Sequence, residues 1–170
     1  MIKHAVISDD GKYRYSLSRF WEEDPLSVDV WVMLNPSTAD AEKDDPTIRR
    51  CIGFSKAEQG VGGILVVNLY AYRSTTPENI PSDPVEAAGL HNNRHIENAI
   101  RDPRTARVIA AWGAHRRALD FPMFNIWRTA RLAGQKVYAL GFCANGEPRH
   151  PLYVAKATVP VEYDPWKEIW

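Results

Sequence analysis

Residues 28–51 read VDVWVMLNPSTADAEKDDPTIRRC, and this stretch contains a strand followed by a helix. The apolar run from Val28 to Leu34 predicts a buried strand. Asp45 and Pro46 then predict the start of a helix, because Asp is a favoured N-cap and Pro is accepted at the first helical position. A buried strand that leads into a helix is the repeating unit of parallel α/β sheets.

The same unit recurs along the chain. The apolar runs GGILVVNLYAY (62–72), ARVIAAWG (106–113) and KVYALGF (136–142) predict three further strands. Helices are predicted over 44–60, 83–102 and 114–134, the last as one helix or as two joined near Pro122. Strands without polar alternation that are separated by helices indicate a parallel sheet covered on both faces. We therefore expect a three-layer α/β fold with a central sheet of four parallel strands.

The first 27 residues carry a different pattern. Two β-prone runs are joined by Asp9-Asp10-Gly11, and an Asp-Gly between such runs predicts a β-hairpin. The chain has 170 residues, is 45% hydrophobic and shows no shift in composition that would mark a linker. We expect one domain over residues 1–170, with residues 1–27 as an N-terminal hairpin extension.

Composition excludes several classes of function. Lys and Arg total 21, as do Asp and Glu, so no overall field attracts nucleic acid or an anionic membrane. Two cysteines are too few for a disulfide framework, and the HNNRH run at His91–His95 lacks the Glu of a zinc motif. We expect no metal and no cofactor. The chain shows neither a leader pattern nor a membrane span, so we expect a cytoplasmic protein without a membrane partner. The oligomeric state stays open.

Polar side chains stand at the ends of three of the predicted strands, and the third strand ends at Trp112-Gly113. Asn35-Pro36-Ser37 follows the first strand, Asn68 ends the second, and the fourth leads into CANGEPRHPLYV with His150. A local turn would explain any one of these groups, since Asn and Ser hydrogen-bond locally. In open α/β sheets, however, ligands bind at the carboxyl edge of the strands. Two amides, a histidine and several aromatics at one edge indicate a pocket for a flat heterocycle.

The runs MLNPSTAD, VVNLYAYRST, VIAAWGAHRRAL and RHPLYV, in this order, resemble the strand-end motifs of the uracil-DNA glycosylase superfamily. The resemblance implies a glycosylase-like sheet with strand order 2-1-3-4. It also implies that Asn35 places the attacking water, that Asn68 reads the edge of the base, and that His150 supports the departing base. Leu152 would be the apolar residue that wedges into the base stack. At full length the sequence also resembles an uncharacterised bacterial family, domain of unknown function 1643, which shares MLNPSTAD, DPTIRRC and VVNLYAYR.

The chemistry of N-glycosidic cleavage is consistent with these residue types. Positive charge develops on the sugar and negative charge on the base, so a catalyst needs a donor at the departing ring and a placed water. We expect Pro36 to keep the Asn35 amide from turning back onto its loop. The other candidate ligand contacts are Ser37 beside Asn35, Phe54 or Tyr70 as a stacking surface, and Arg73 and Arg149 as phosphate contacts. Arginines on predicted helices are expected to face solvent: Arg49, Arg50, Arg116, Arg117, Arg128 and Arg131.

Two functions of different classes remain at this point. The first is an enzyme that hydrolyses the N-glycosidic bond of a nucleobase in DNA, in RNA or in a nucleoside. The second is a module that binds a nucleobase, a nucleotide or a nucleic acid without cleaving it. Both take a nucleobase-containing ligand, and base release distinguishes them.

Overall fold

The structure is a computed structural model that describes residues 1–118 and 124–164. The predicted helix junction near Pro122 lies outside the described residues. The strands are β1 Ile2–Ile7, β2 Arg14–Phe20, β3 Val28–Met33, β4 Gly63–Asn68, β5 Thr105–Ala110, β6 Val137–Ala139 and β7 Val161–Glu162. The α-helices are α1 Pro46–Lys56, α2 Pro84–Ala88, α3 Asn92–Arg101 and α4 Phe124–Leu132. Single 3₁₀ turns lie at Pro77–Asn79, Arg116–Ala118 and Pro151–Tyr153. None of the described helices combines the length and apolar character needed to cross a membrane.

All these strands belong to one sheet in the order β1-β2-β4-β3-β5-β6-β7. The pairs β4–β3, β3–β5 and β5–β6 are parallel, and the pairs at the two edges are antiparallel. The α/β class predicted from alternating strands and helices is confirmed. The sheet has seven strands in the described part of the chain rather than the four expected. The N-terminal strands are part of it and not a separate extension, because Leu17 of β2 pairs with Val66 of β4.

Helices cover both faces of the sheet. On one face, Ile48, Cys51 and Phe54 of α1 pack on a cluster that includes Trp31 and Val66. On the other face, α3 and α4 pack on a second cluster, which includes Val32 of β3 and Val67 of β4. The central strands are therefore buried on both sides, which explains why their sequences lack polar alternation.

The one charge inside β3 is fully paired. Asp29 accepts from Arg107 of β5 through Nε at 2.9 Å and Nη2 at 2.7 Å, and from the Ser55 hydroxyl of α1 at 2.6 Å. Ser55 in turn accepts from the Trp31 indole at 3.0 Å. These bonds hold the last turns of α1 over the start of β3. The start of α1 consequently lies over the carboxyl end of the same strand.

Candidate functional site

A cavity of about 470 Å³ lies at the carboxyl ends of the central strands, on the side of the sheet that α1 covers. Its wall comes from the residues after β3, the end of β4, the residues after β5, the start of α1 and the 3₁₀ turn that begins at Pro151. Its volume is within the range typical of small-molecule sites. Five of the predicted site residues line it: Asn35, Ser37, Asn68, His150 and Leu152.

Asn68 contributes a buried amide without a partner. Its side chain is 0% exposed, and neither Oδ1 nor Nδ2 has a hydrogen-bond partner. Its main-chain carbonyl, by contrast, accepts from Asn92 Nδ2 at 2.9 Å. An unsatisfied buried polar group costs about 1–3 kcal/mol. Because Asn68 also lines the cavity, its unused donor and acceptor are candidate contacts for a ligand there.

Asn35 holds two loops together. Its Nδ2 donates to the carbonyls of Pro36 at 3.1 Å and of Ser74 at 2.8 Å. The expectation that Pro36 keeps this amide away from the loop is wrong, because the amide bonds Pro36 itself. Pro36 is buried and is not part of the cavity wall. The acceptor Oδ1, to which no described residue donates, is the part of Asn35 that remains available for water or ligand.

His150 is fixed in orientation at the start of the Pro151–Tyr153 turn. Its Nδ1 accepts from the Leu152 amide at 3.3 Å. Burial lowers the pKa of His150 below its ordinary value, against a smaller opposite effect of the Asp45 charge. The neutral ring then carries its hydrogen on Nε2, which makes Nε2 a donor. Gly113 permits this position, since a Cβ there would lie 3.3 Å from the His150 Cβ.

Arg50 of α1 positions the turn that carries His150. It donates from Nε to the Pro151 carbonyl at 3.1 Å and from Nη2 to the Val154 carbonyl. The expectation that Arg50 faces solvent is therefore wrong. A similar correction applies to Arg117, which donates from Nη2 to the Pro81 carbonyl at 2.5 Å. Both guanidiniums donate to loops that are distant in sequence, and the pattern of residues along a predicted helix does not reveal such contacts.

The mouth of the cavity is apolar and aromatic. Leu152 is 42% exposed and Tyr153 is 80% exposed, and both line the cavity. The ring centroids of Tyr153 and His150 lie 5.7 Å apart, with the planes tilted by 49°. Tyr153 thus offers an open aromatic face beside the donor of His150. The sequence did not identify Tyr153 as a site residue, although the quoted run RHPLYV contains it.

The two aromatics expected to stack on a ligand lie in the core instead. Phe54 packs against Trp31 with ring centroids 6.1 Å apart, and Arg50 lies over its other side at 4.7 Å. Tyr70 is buried with the cluster on the opposite face of the sheet, and its hydroxyl donates to the Arg117 carbonyl at 2.9 Å. Neither ring lines the cavity. Phe54 lies on the side of α1 that packs on the sheet, and Tyr70, just after β4, packs on the opposite face of the sheet from the cavity.

Arg73 and Arg149 also lie outside the cavity wall. Arg73 donates from Nη1 to the Gly11 carbonyl at 3.1 Å, and Arg149 donates from Nε to the Phe142 carbonyl at 2.9 Å. No ion pair of the described residues includes either guanidinium. In this geometry the two arginines brace loops, and the expected phosphate contacts have no support from the cavity.

Arg14 is a positively charged residue of the cavity that the sequence did not identify as a site residue. It is 2% exposed, its Nη1 donates to the Ala39 carbonyl at 2.8 Å, and its Nε is buried without a partner. Burial lowers the pKa of Arg14 to about 10, so the guanidinium stays charged at neutral pH. Other lining residues not foreseen as site residues are Thr38, Asp45, Thr47, Ser74, Thr75, Trp112 and His115.

Residues 14–152 match the model of a family described as a protein of unknown function, DUF1643. The chain belongs to the DUF1643 family. Of the cavity-lining residues, all but Tyr153 lie within the DUF1643 match. No curated protein and no solved structure matches the chain. Since the DUF1643 description names no activity, the function has to be argued from the cavity.

Proposed function

We propose that the cavity binds a nucleobase-containing ligand and that the protein hydrolyses its N-glycosidic bond. The observation that carries the proposal is the unpartnered amide of Asn68, which is 0% exposed and lines the cavity. The edge of uracil, thymine or a 6-oxopurine offers a ring N–H beside a carbonyl. Such an edge satisfies both atoms of the amide at once.

His150 supplies the donor for the departing base. Its Nδ1 is engaged by the Leu152 amide, so Nε2 carries the hydrogen while the ring is neutral. A hydrogen bond from Nε2 to a base carbonyl strengthens as negative charge develops on the ring. Such a bond lowers the barrier because it is stronger in the transition state than in the ground state.

Asn35 supplies the acceptor for water. Two carbonyls hold its Nδ2, which fixes the plane of the amide and leaves Oδ1 to orient a water molecule. An amide oxygen accepts a hydrogen bond but does not remove a proton. The reaction it supports is therefore dissociative, with water attacking a sugar that already carries positive charge.

The arrangement of the central strands supports the same proposal. Their order, β4-β3-β5-β6, corresponds to the order 2-1-3-4 that the glycosylase resemblance implies. In this order β3 lies between β4 and β5, and the residues that follow these three strands line the cavity. A uracil-DNA-glycosylase-like architecture is accordingly part of the proposal.

A second candidate function is base binding without cleavage. The hydrogen bonds of Asn35 favour it, because an amide that joins two loops has a structural role even without a water. Binding would still use Asn68, while Asn35 and His150 would shape the wall.

Base release tests the proposal. The purified protein is incubated with nucleosides and with single-stranded and duplex oligonucleotides that contain uracil, hypoxanthine or a mismatch, and free base is measured by chromatography. We expect release from at least one substrate by the wild type and none by Asn68→Leu, which keeps the side-chain size. Binding that Asn68→Leu abolishes, without release, would establish the second candidate. Neither binding nor release of any base would contradict both functions.

A further inference from the structure

We infer that the cavity contains an anion site at Arg14, which binds the phosphate of a mononucleotide whose base pairs with Asn68. The inference rests on the proposed function, since it names the class of ligand for the same cavity. It assigns a role to a buried cation that the proposed base chemistry leaves unused.

The guanidinium of Arg14 forms no ion pair within the described part of the chain, although the charges of Asp45 and Asp40 act on it from beyond ion-pair distance. Arg14 is 2% exposed. Its Nη1 bonds the Ala39 carbonyl, and Nε has no partner. A buried charge without a partner costs several kcal/mol, so a ligand that brings the opposite charge gains correspondingly. The planar fork of a guanidinium also matches two phosphate oxygens.

The surroundings of Arg14 suit phosphate. Hydroxyl groups line the same cavity at Ser37, Thr38, Thr47 and Thr75, while that of Ser74 already donates to the Thr76 carbonyl at 2.7 Å. Hydroxyl donors and a guanidinium without an ion pair together form a set of phosphate-binding groups.

Asp45 limits where the anion can lie. Among the described lining residues it is the one carboxylate, and its Oδ1 accepts from the Ile48 amide at 2.8 Å. A phosphate directly against Asp45 would be repelled, whereas a sugar hydroxyl could donate to it. A nucleotide meets both conditions, because it carries hydroxyls between its base and its phosphate.

Burial favours a mononucleotide over a polymer. Arg14 and Asn68 are both almost completely enclosed, so a phosphate that reaches Arg14 cannot continue into a chain on both sides. The cavity of about 470 Å³ is larger than one base requires. The charge balance of the chain also gives no long-range attraction for a polyanion.

Calorimetric titration tests the inference. The probes are uridine, cytidine, adenosine, guanosine and inosine, their 5′-monophosphates, inorganic phosphate and a uracil-containing oligonucleotide. For the preferred base, we expect the monophosphate to bind the wild type roughly tenfold to hundredfold more tightly than the nucleoside, as a hydrogen bond to a charged group allows. Arg14→Met should remove that advantage and leave the affinity for the nucleoside unchanged. The matched control is Arg131→Met on the exposed side of α4, which should bind like the wild type.

A second variant, Arg14→Lys, tests the inference even if Arg14→Met fails to fold. Arg14→Lys keeps the charge without the fork, and we expect it to lose only part of the advantage of the monophosphate. Equal affinity of the wild type for nucleoside and monophosphate would overturn the inference and leave the proposed function standing. Binding of the oligonucleotide alone would also overturn it. If inorganic phosphate binds through Arg14 but no nucleoside or nucleotide binds, the anion site remains and the proposed function fails.

Discussion

Two buried arginines of β2, Arg14 and Arg19, have opposite surroundings. Arg19 donates to Asp44 at 2.6 Å and to the carbonyls of Ser18 and Asp40. Arg14 donates to the carbonyl of Ala39, and its Nε has no partner. Buried polar groups in folded proteins are nearly always bonded, and Arg14, unlike Arg19, also lines the cavity, so a ligand there could satisfy its free Nε.

The two ends of the parallel strands show the same contrast. At the start of β3, Asp29 bonds Arg107 and Ser55 and is saturated. At the end of β4, Asn68 is equally buried and its side chain bonds nothing. Buried side-chain atoms without a partner also occur in Arg73, Asn92 and Arg117, but these residues do not line the cavity, whereas Asn68 and Arg14 do. The combination of an unbonded buried atom and a place in the cavity wall is what distinguishes Asn68 and Arg14 from the saturated Asp29 and Arg19.

The largest expected effect is the difference in the free energy of unfolding between variants of Arg19 and of Arg14, the two arginines of β2. Arg19→Met should lower the free energy of unfolding by about 3–5 kcal/mol, because it leaves several buried carbonyls without a donor and leaves Asp44 with its longer ion pair to Lys3 at 3.4 Å. Arg14→Met should change it by less than about 1 kcal/mol, because it removes a buried charge that forms no ion pair together with one hydrogen bond. Urea denaturation measures both. Equal losses would mean that Arg14 is as structural as Arg19.

A smaller difference in the free energy of unfolding is expected between variants of Asp29, at the start of β3, and of Asn68, at the end of β4. Asp29→Ala should cost about 3 kcal/mol, because the Arg107 guanidinium then keeps only its bond to Glu58. Asn68→Leu should cost less than about 1 kcal/mol, since it replaces an unbonded amide by an apolar group of similar size. The same denaturation series measures both variants. A larger loss for Asn68→Leu than for Asp29→Ala would contradict the contrast.

Arg50 combines features of both groups of residues. It is hydrogen-bonded, as structural residues are, but its bonds position the turn that carries His150 of the cavity. Arg50→Met should lower the free energy of unfolding by about 1–2 kcal/mol through the lost bonds to the Pro151 and Val154 carbonyls. It should also slow base release more than it weakens base binding, since it loosens His150. Kinetic and binding assays of this variant, beside Arg131→Met, provide the measurement. A change in stability alone would limit Arg50 to a structural role.

The smallest effect concerns pH. Burial lowers the pKa of His150 in the folded state, so the unfolded chain takes up a proton first as the pH falls. Stability contributed by the neutral ring is thus present above the unfolded pKa of about 6.5 and is lost as the pH drops from there towards the folded pKa. His150→Gln should flatten the decline in stability between pH 7.5 and pH 5. His95, whose pKa burial also lowers, contributes with the same sign, so His95→Gln is the comparison. An unchanged slope in His150→Gln would show that His150 is not desolvated.

Some of these features could be predicted from sequence and some could not. The strands β3, β4 and β5 are apolar runs because both of their faces are buried, and Asn35, Asn68 and His150 follow strands in a readable order. The place of Arg14 depends on the antiparallel pairing of β2 with β4, a contact between distant residues that no local pattern encodes. Phe54 and Tyr70 are likewise buried in the clusters on the two faces of the sheet, and their positions there depend on tertiary packing.

Nuclear magnetic resonance of the Asn68 side chain tests the central claim most directly. The side-chain amide signal is assigned by its absence in Asn68→Leu, and the exposed Asn98 provides a control signal in the same spectrum. On titration with the nucleoside or nucleotide that binds best, we expect the Asn68 amide protons to move downfield as they gain an acceptor, while those of Asn98 stay in place. A ligand that stabilises the protein against heat and leaves the Asn68 signal unmoved would contradict base recognition in this cavity.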